Sequence, residues 1–198
     1  MQRQSHKSKL ILASSSPYRK LLLNRLEIPF ETHSPDVDES PLPGEAATVL
    51  VTRLARQKGQ AIAQQFPEAV VIGSDQLAVC NEEVIGKPGT AEKAICQLRR
   101  FSEQAVIFHS AVAVQCLHTG YLFERCVDTE VRFRKLDDDE IRRYVAADNP
   151  VDCAGSFKSE SLGISLLKSM TSSDPTAIVG LPLIALARSL RETGFQLP

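Results

Sequence analysis

The sequence has neither a long apolar run nor two cysteines at the CxxC spacing. No stretch approaches the roughly 20 apolar residues that a membrane-spanning helix requires, so we expect no contact with a membrane. The five cysteines, an odd number, stand far apart at positions 80, 96, 116, 126 and 153. This pattern argues against a disulfide framework and against a zinc knuckle. Reduced thiols in a cytoplasmic protein are the simpler interpretation.

An excess of charge is also missing, because 23 Lys and Arg residues balance 24 Asp and Glu residues. The net charge of −1 argues against binding to nucleic acid through bulk electrostatics. The basic segment 1–9 precedes an apolar run that is far too short for a signal peptide, which again favours the cytoplasm. No repeat and no linker rich in Gly or Ser divides the chain, so we expect a single domain over residues 1–198.

The apolar periodicity predicts helices that alternate with strands. Ser16 is predicted to cap a helix that starts at Pro17, Thr90 is predicted to cap another, and Asp137 fits a capping box with Glu140. The fold class is therefore α/β, of the mixed α+β kind. The other predicted elements are strands over 10–13, 69–79, 105–117 and 121–134, a turn at 81–83, and helices over 46–65 and 181–192.

The stretch LILASSSPYRK, residues 10–20, places hydroxyl groups where a buried strand turns into a helix. The first backbone N–H groups of a helix have no partner within the helix, and they attract anions. Ser14 and Ser16 add hydroxyl donors, and Arg19 adds a planar fork that suits a phosphate. An ordinary serine-capped helix with exposed cations explains the stretch equally well, since no glycine-rich phosphate loop is present.

Four further charged residues stand in places that are unusual for a charge. Lys58 falls on the apolar stripe of a predicted helix, and Asp75 interrupts an otherwise apolar strand. Lys87 follows an apolar pair, and Glu39 lies in a proline-rich loop. Each has an ordinary explanation: Lys58 snorkels, a bulge exposes Asp75, and the other two are solvated. Together with Arg19, however, they supply the cations and the metal-binding carboxylates that triphosphate chemistry requires.

The chain resembles the Maf family of nucleotide pyrophosphatases over nearly its whole length. The segments that carry this resemblance, in chain order, are LASSSPYRK, DVDE, RLARQK, IGSDQ, GKP, CAGSFKSESLG and VGLPL.

The resemblance implies a fold, a reaction and a set of residues. The fold would be an elongated α/β structure, often dimeric, with a mixed twisted sheet and a cleft between two lobes. Water would attack a nucleoside triphosphate, giving the monophosphate and pyrophosphate, with a divalent cation, magnesium or manganese. Asp75 would be the catalytic base, with Glu39 as its partner for the metal, and Arg19, Lys58 and Lys87 would complete the polar site.

Three positions depart from the pyrimidine-type pattern of that family and resemble its subgroup acting on 7-methyl-GTP. They are Tyr18, Gln76 and Glu160, which stand where the pyrimidine type has Arg, Thr and Gln. Methylation at N7 makes the guanine cationic, so an aromatic face attracts it by roughly 0.5–2 kcal/mol. A glutamate accepts from both N–H groups of the guanine edge and also matches its charge. A packing ring at Tyr18 and a surface carboxylate at Glu160 are the alternatives.

Other functions stay open at this point. The substrate is alternatively dTTP, UTP or another non-standard nucleotide. The chain is alternatively a nucleotide-binding regulator of cell division without turnover, although its intact acidic and basic set favours catalysis. The pattern assigns no role to Cys153 or Lys158, and His109 fits best as a core histidine.

Overall fold

The computed structural model describes residues 9–198, so the basic segment before Lys9 lies outside the described residues. The described residues form a seven-stranded sheet and five α-helices, which confirms the predicted mixed α/β class. The strands are β1 (Leu10–Ala13), β2 (Glu31–His33), β3 (Val70–Cys80), β4 (Glu83–Ile85), β5 (Ala105–Cys116), β6 (Tyr121–Phe133) and β7 (Leu167–Ser172), and the helices are α1 (Pro17–Asn24), α2 (Ala47–Ala63), α3 (Ala91–Phe101), α4 (Asp138–Asp148) and α5 (Leu183–Glu192).

The sheet is mixed, and its strand order is β2-β1-β3-β5-β6-β7. Strand β1 pairs in parallel with both β2 and β3, whereas β3, β5, β6 and β7 follow one another in antiparallel pairs. Strand β4 forms a short antiparallel hairpin with the end of β3. The parallel strands therefore lie at one end of the sheet and the long antiparallel strands at the other.

One edge of β3 is interrupted in its middle. This edge pairs with β1 as far as Gly73 and with β4 from Ala78 onward. The other edge pairs with β5 throughout. Within the described part of the chain, residues 74–77 therefore have a neighbouring strand on one side only. The interruption opens the sheet at the carboxyl end of β1, where ligands bind in many α/β folds.

The two ends of β3 belong to different hydrophobic clusters. Val70 and Ile72 pack with residues of β1, α1 and α5, while Ala78 and Cys80 pack with residues of α3, α4 and β6. Strand β5 divides in the same way, since Phe108 belongs to one cluster and the valines near its carboxyl end to the other. The interruption of β3 thus lies between two separately packed groups of side chains.

The predicted helix starts are confirmed, but one of the capping interactions differs. The side chains of Ser16, Thr90 and Asp137 each accept a hydrogen bond from the backbone N–H three residues later. The predicted capping box is only half formed, because the Glu140 carboxylate pairs with Arg134. A guanidinium fork binds a carboxylate more strongly than one backbone amide does.

Three strands and several boundaries differ from the sequence-based expectation. The short edge strands β2, β4 and β7 were not expected, because two of them have only three residues and all three are largely exposed. The predicted turn at 81–83 is a two-residue turn at Asn81 and Glu82, and Glu83 already belongs to β4. Helix α5 begins two residues later than predicted, because Pro182 occupies its N-cap position.

All five cysteines are free thiols. Among residues 9–198, no helix combines the length and the apolarity that crossing a bilayer demands.

Helix α2 packs on the sheet through two glycines. A Cβ added to Gly73 would stand 2.1 Å from the carbonyl oxygen of Ala55 and 2.6 Å from the amide nitrogen of Gly59. A Cβ added to Gly59 would stand 2.4 Å from the side-chain nitrogen of Gln115. Only glycine therefore allows the helix backbone to approach β3 this closely.

We expect Gly73→Ala to destabilise the protein by about 1–3 kcal/mol, because the new methyl group must push α2 away from β3. Urea unfolding monitored by circular dichroism measures this change. The matched control is Gly86→Ala, where an added Cβ would meet no atom within 4 Å, so its stability should stay within about 0.5 kcal/mol of the parent. Equal stability of the two variants would contradict the packing argument.

Candidate active site

The opening beside β3 is a cleft with a cavity of about 500 Å³. Its walls come from the start of α1, the loop after β2, helix α2, the middle of β3, the loop after β4 and residues 152–154. Nine of the ten site residues predicted from the sequence line this cleft: Ser14, Ser16, Tyr18, Arg19, Glu39, Lys58, Asp75, Gln76 and Lys87.

A lysine held between two carboxylates lies at the centre of the cleft. The Lys58 Nζ atom is 2.6 Å from Asp75 Oδ1 and 2.7 Å from Glu39 Oε1. The side chains of Lys58 and Asp75 are both 9 % exposed, whereas that of Glu39 is 61 % exposed. Of the two explanations that the sequence left open for Lys58, contact with an anion is therefore the correct one.

The local structure explains how these two charges come to lie inside the protein. Lys58 is one of the buried residues of α2, and it directly precedes Gly59, the residue that packs against β3. Asp75 comes two residues after Gly73 on the same strand, in the stretch that lacks a second neighbouring strand. The strand continues straight through Asp75, so the alternative of a bulge that exposes this carboxylate is wrong.

The start of α1 forms another wall of the cleft. The Ser14 hydroxyl oxygen accepts hydrogen bonds from the Ser16 backbone N–H at 3.1 Å and from the Arg19 guanidinium at 3.5 Å. The Arg19 guanidinium also donates to the carbonyl oxygen of Gly180 at 3.0 Å. Burial lowers the pKa of Arg19, and the negative charges of Asp75 and Glu39 oppose that shift. Together with the exposed Lys87, this wall offers cations and helix N–H groups to an anion.

Gln76 ties the cleft to the turn that precedes α5. Its side-chain nitrogen lies 2.8 Å from the Ser110 hydroxyl oxygen, 3.0 Å from the carbonyl oxygen of Ala177 and 2.9 Å from that of Ile178. The neighbouring Ser74 hydroxyl lies within 2.9 Å of the carbonyl oxygen of Gly180, which also accepts from Arg19. These contacts hold the turn, β3 and α1 together around one side of the cleft.

Asp152 is a residue of the cleft that sequence reasoning missed. Its carboxylate accepts hydrogen bonds from the Tyr18 hydroxyl at 3.2 and 3.3 Å and from the Cys153 thiol at 3.4 Å. Burial raises the pKa of Tyr18, and it raises the pKa of Cys153 to about 12, so both groups keep their protons at neutral pH. The one signal in the sequence was its position directly before the CAGSFKSE segment.

Glu160 is the one predicted site residue that does not line the cavity. It is exposed, and the hydroxyl of Ser159 donates to its carboxylate at 3.3 Å. Lys158, left unassigned from the sequence, donates from Nζ to the carbonyl oxygen of Asp148 at 2.8 Å. The same Nζ lies 5.8 Å from the centre of the Tyr18 ring, so this ring already has a cation near one face.

The carboxylates of the cleft suit a divalent cation. Oxygen atoms of Asp75 and Glu39 both reach one positive charge, the Lys58 ammonium, within 2.7 Å. Magnesium prefers such oxygen ligands and is commonly bound by one or two carboxylates together with substrate phosphates. These residues therefore fit a hard divalent cation.

The chain is similar to known proteins over nearly its whole length. The sequence model of the family described as "Maf-like protein" matches residues 9–193. A protein of Aromatoleum aromaticum named 7-methyl-GTP pyrophosphatase is 57 % identical, over 96 % of this chain and 98 % of its own. Proteins with the same name from Polaromonas sp. and Pseudomonas aeruginosa are 53 % and 51 % identical, over 95 % and 96 % of this chain and 86 % and 98 % of their own. The chain belongs to the Maf family.

Proposed function

We propose that this protein hydrolyses 7-methyl-GTP to 7-methyl-GMP and pyrophosphate. The observation that carries the proposal is the centre formed by Lys58, Asp75 and Glu39, which lines the same cleft as the start of α1. The name shared by relatives that match the chain over nearly its whole length supports the choice of substrate.

The cleft is suited to hold a triphosphate. Such a group carries about four negative charges, which several cations must balance. Arg19, Lys58 and Lys87 approach the cavity from three different elements, and the N–H groups at the start of α1 add partial positive charge. The phosphates would therefore lie between α1 and the Lys58 ammonium.

Asp75 is placed to act on the attacking water. Its carboxylate is buried on a rigid strand, and its Oδ1 atom is fixed by Lys58 at 2.6 Å. A carboxylate held in this way accepts a proton from a water molecule as that water attacks phosphorus and an anhydride bond breaks. Magnesium, or manganese in its place, would be held by Glu39 and Asp75 and would neutralise charge on the phosphates and on the departing pyrophosphate.

The base would be recognised at the Tyr18 end of the cleft. The methylated guanine is cationic, and the Tyr18 ring offers an aromatic face to it. The Asp152 carboxylate, fixed by Tyr18 and Cys153, adds a negative charge at the same end. Gln76 holds the adjoining turn, and Glu160 stays a predicted partner of the guanine N–H edge.

The setting of the proposed activity follows from its substrate. A modified nucleoside triphosphate belongs to the cytoplasmic nucleotide pool, and free thiols suit that reducing compartment. Removal of such nucleotides would be a house-cleaning activity. A single domain and a homodimer stay predictions.

We expect Asp75→Asn to lower kcat for 7-methyl-GTP by about 10²–10⁴-fold while the fold is kept, because the amide cannot take the proton of the water. Separation of the products by chromatography measures 7-methyl-GMP and pyrophosphate directly. Asp139→Asn, on the exposed face of α4, is the matched control and should match the parent. Parent-like turnover by Asp75→Asn would remove Asp75 from the chemistry. A parent that binds 7-methyl-GTP without releasing pyrophosphate would instead be a nucleotide-binding regulator.

We expect Lys58→Met to lower both activity and stability, because it removes a cation from the phosphates and leaves the buried Asp75 carboxylate unpaired. Losing the partner of a buried charge costs about 3–5 kcal/mol. Adding Asp75→Asn to Lys58→Met should recover part of the lost melting temperature and none of the activity. Loss of stability together with parent-like kcat/KM would leave Lys58 with a structural role only.

We expect the triple change Tyr18→Arg, Gln76→Thr and Glu160→Gln to reduce the preference for 7-methyl-GTP over dTTP by about 10–100-fold. An arginine repels the cationic base, and an unmatched donor at the guanine edge costs roughly 1–3 kcal/mol. The ratio of kcat/KM for the two nucleotides, measured on parent and variant, tests this expectation. An unchanged ratio would show that these three positions do not choose the base.

A further inference from the structure

A second group of potential metal ligands lies on the sheet, and its members are not among the residues that line the cleft. His109 on β5 stands directly opposite Asp128 on β6, and Cys126 comes two residues earlier on β6. Residues two apart on a strand share a face, so the three side chains point the same way. A cavity of about 480 Å³ adjoins them and is lined in part by Cys126, Asp128 and Ser172.

The three ligand atoms of this group lie close enough together to share one metal ion after small adjustments. The His109 Nδ1 atom is 2.7 Å from Asp128 Oδ1, and the Cys126 Sγ atom is 3.9 Å from the same oxygen. All three ligand atoms lie within 4.8 Å of one another. Ligands bound to zinc at about 2.0–2.3 Å in a tetrahedron stand about 3.3–3.8 Å apart. The Asp128 carboxylate, which is 60 % exposed, must therefore turn away from His109 to make room for an ion, and His109 and Cys126 must adjust to share it.

We propose that His109, Cys126 and Asp128 form a second metal site, which binds Zn²⁺ or a similar borderline divalent cation. The chemistry of the ligands distinguishes it from the cleft. An imidazole and a thiolate select zinc or cobalt, whereas the oxygen pair of Glu39 and Asp75 suits magnesium. On binding, the Cys126 thiol becomes a thiolate and its proton goes to the solvent.

The site would join two central strands of the sheet. His109 and Asp128 belong to neighbouring strands, so a bound ion cross-links β5 to β6. Cys126 packs beside Leu77 on a hydrophobic cluster that includes Val51 and Ala55 of α2. A bound ion should therefore stabilise the folded protein, because it binds the native arrangement and not the unfolded chain. Three protein ligands leave the fourth position to water.

Cobalt spectroscopy tests the proposal without using activity. The full chain is stripped of metal, kept reduced with a phosphine, and titrated with Co²⁺ in the presence of excess Mg²⁺, which occupies oxygen sites. We expect one equivalent of Co²⁺ to give a thiolate charge-transfer band in the near ultraviolet, together with the visible bands of tetrahedral cobalt. One equivalent of Zn²⁺ should displace the cobalt and raise the melting temperature.

Matched variants assign the signal to these residues. Cys126→Ser should abolish the charge-transfer band, and His109→Asn should weaken cobalt binding by more than about tenfold, since even an outer partner of a metal ligand is worth that much. Cys96→Ser, at an exposed free cysteine on α3, should behave as the parent does. Circular dichroism verifies that each variant is folded.

Three results would overturn the proposal. They are a folded parent that shows no charge-transfer band with millimolar Co²⁺, a band that survives Cys126→Ser, or a band that is lost in Cys96→Ser. In each case His109 and Asp128 would be only a hydrogen-bonded pair across two strands.

Discussion

Helix α2 reaches strand β3 only because neither backbone carries a side chain where they meet. A methyl group on Gly73 would overlap the backbone of α2, and one on Gly59 would overlap a side chain of β5. This contact determines how close Lys58, the residue before Gly59, lies to the sheet. The position of this lysine backbone is therefore set by the packing of α2 against β3.

The interruption of β3 gives this lysine its partner. A charged residue inside a sheet is costly unless it meets an opposite charge or water. Asp75 meets both conditions, because Lys58 pairs with it and because one side of the strand opens into the cleft. Glu39 adds a second carboxylate, so one ammonium is shared by two negative groups. The charges of these two carboxylates also act on the nearby Arg19 guanidinium, so acidic and basic groups are closely interleaved in the cleft.

Much of the fold and of the candidate site could be predicted from the sequence, and the exceptions have physical causes. Clear apolar patterns predicted the long strands, and capping residues predicted the helix starts. Charges and hydroxyl groups pointed to seven of the nine predicted residues that line the cleft, whereas Tyr18 and Gln76 came from the family resemblance. Edge strands β2, β4 and β7 were missed because short exposed strands carry no such pattern. Asp152 was missed because an exposed aspartate beside a turn is ordinary in a sequence. Only the fold brings it next to Tyr18.

One hypothesis joins the chemistry to recognition of the base. The cleft cleaves a triphosphate, and it prefers a base that carries a positive charge. The most direct test is kcat/KM of the unmodified protein with 7-methyl-GTP, GTP, dTTP and UTP, measured as pyrophosphate release with magnesium. We expect the highest kcat/KM for 7-methyl-GTP. The value for GTP should be lower, because GTP shares the guanine edge but lacks the positive charge. A higher value for dTTP or UTP would contradict the claim.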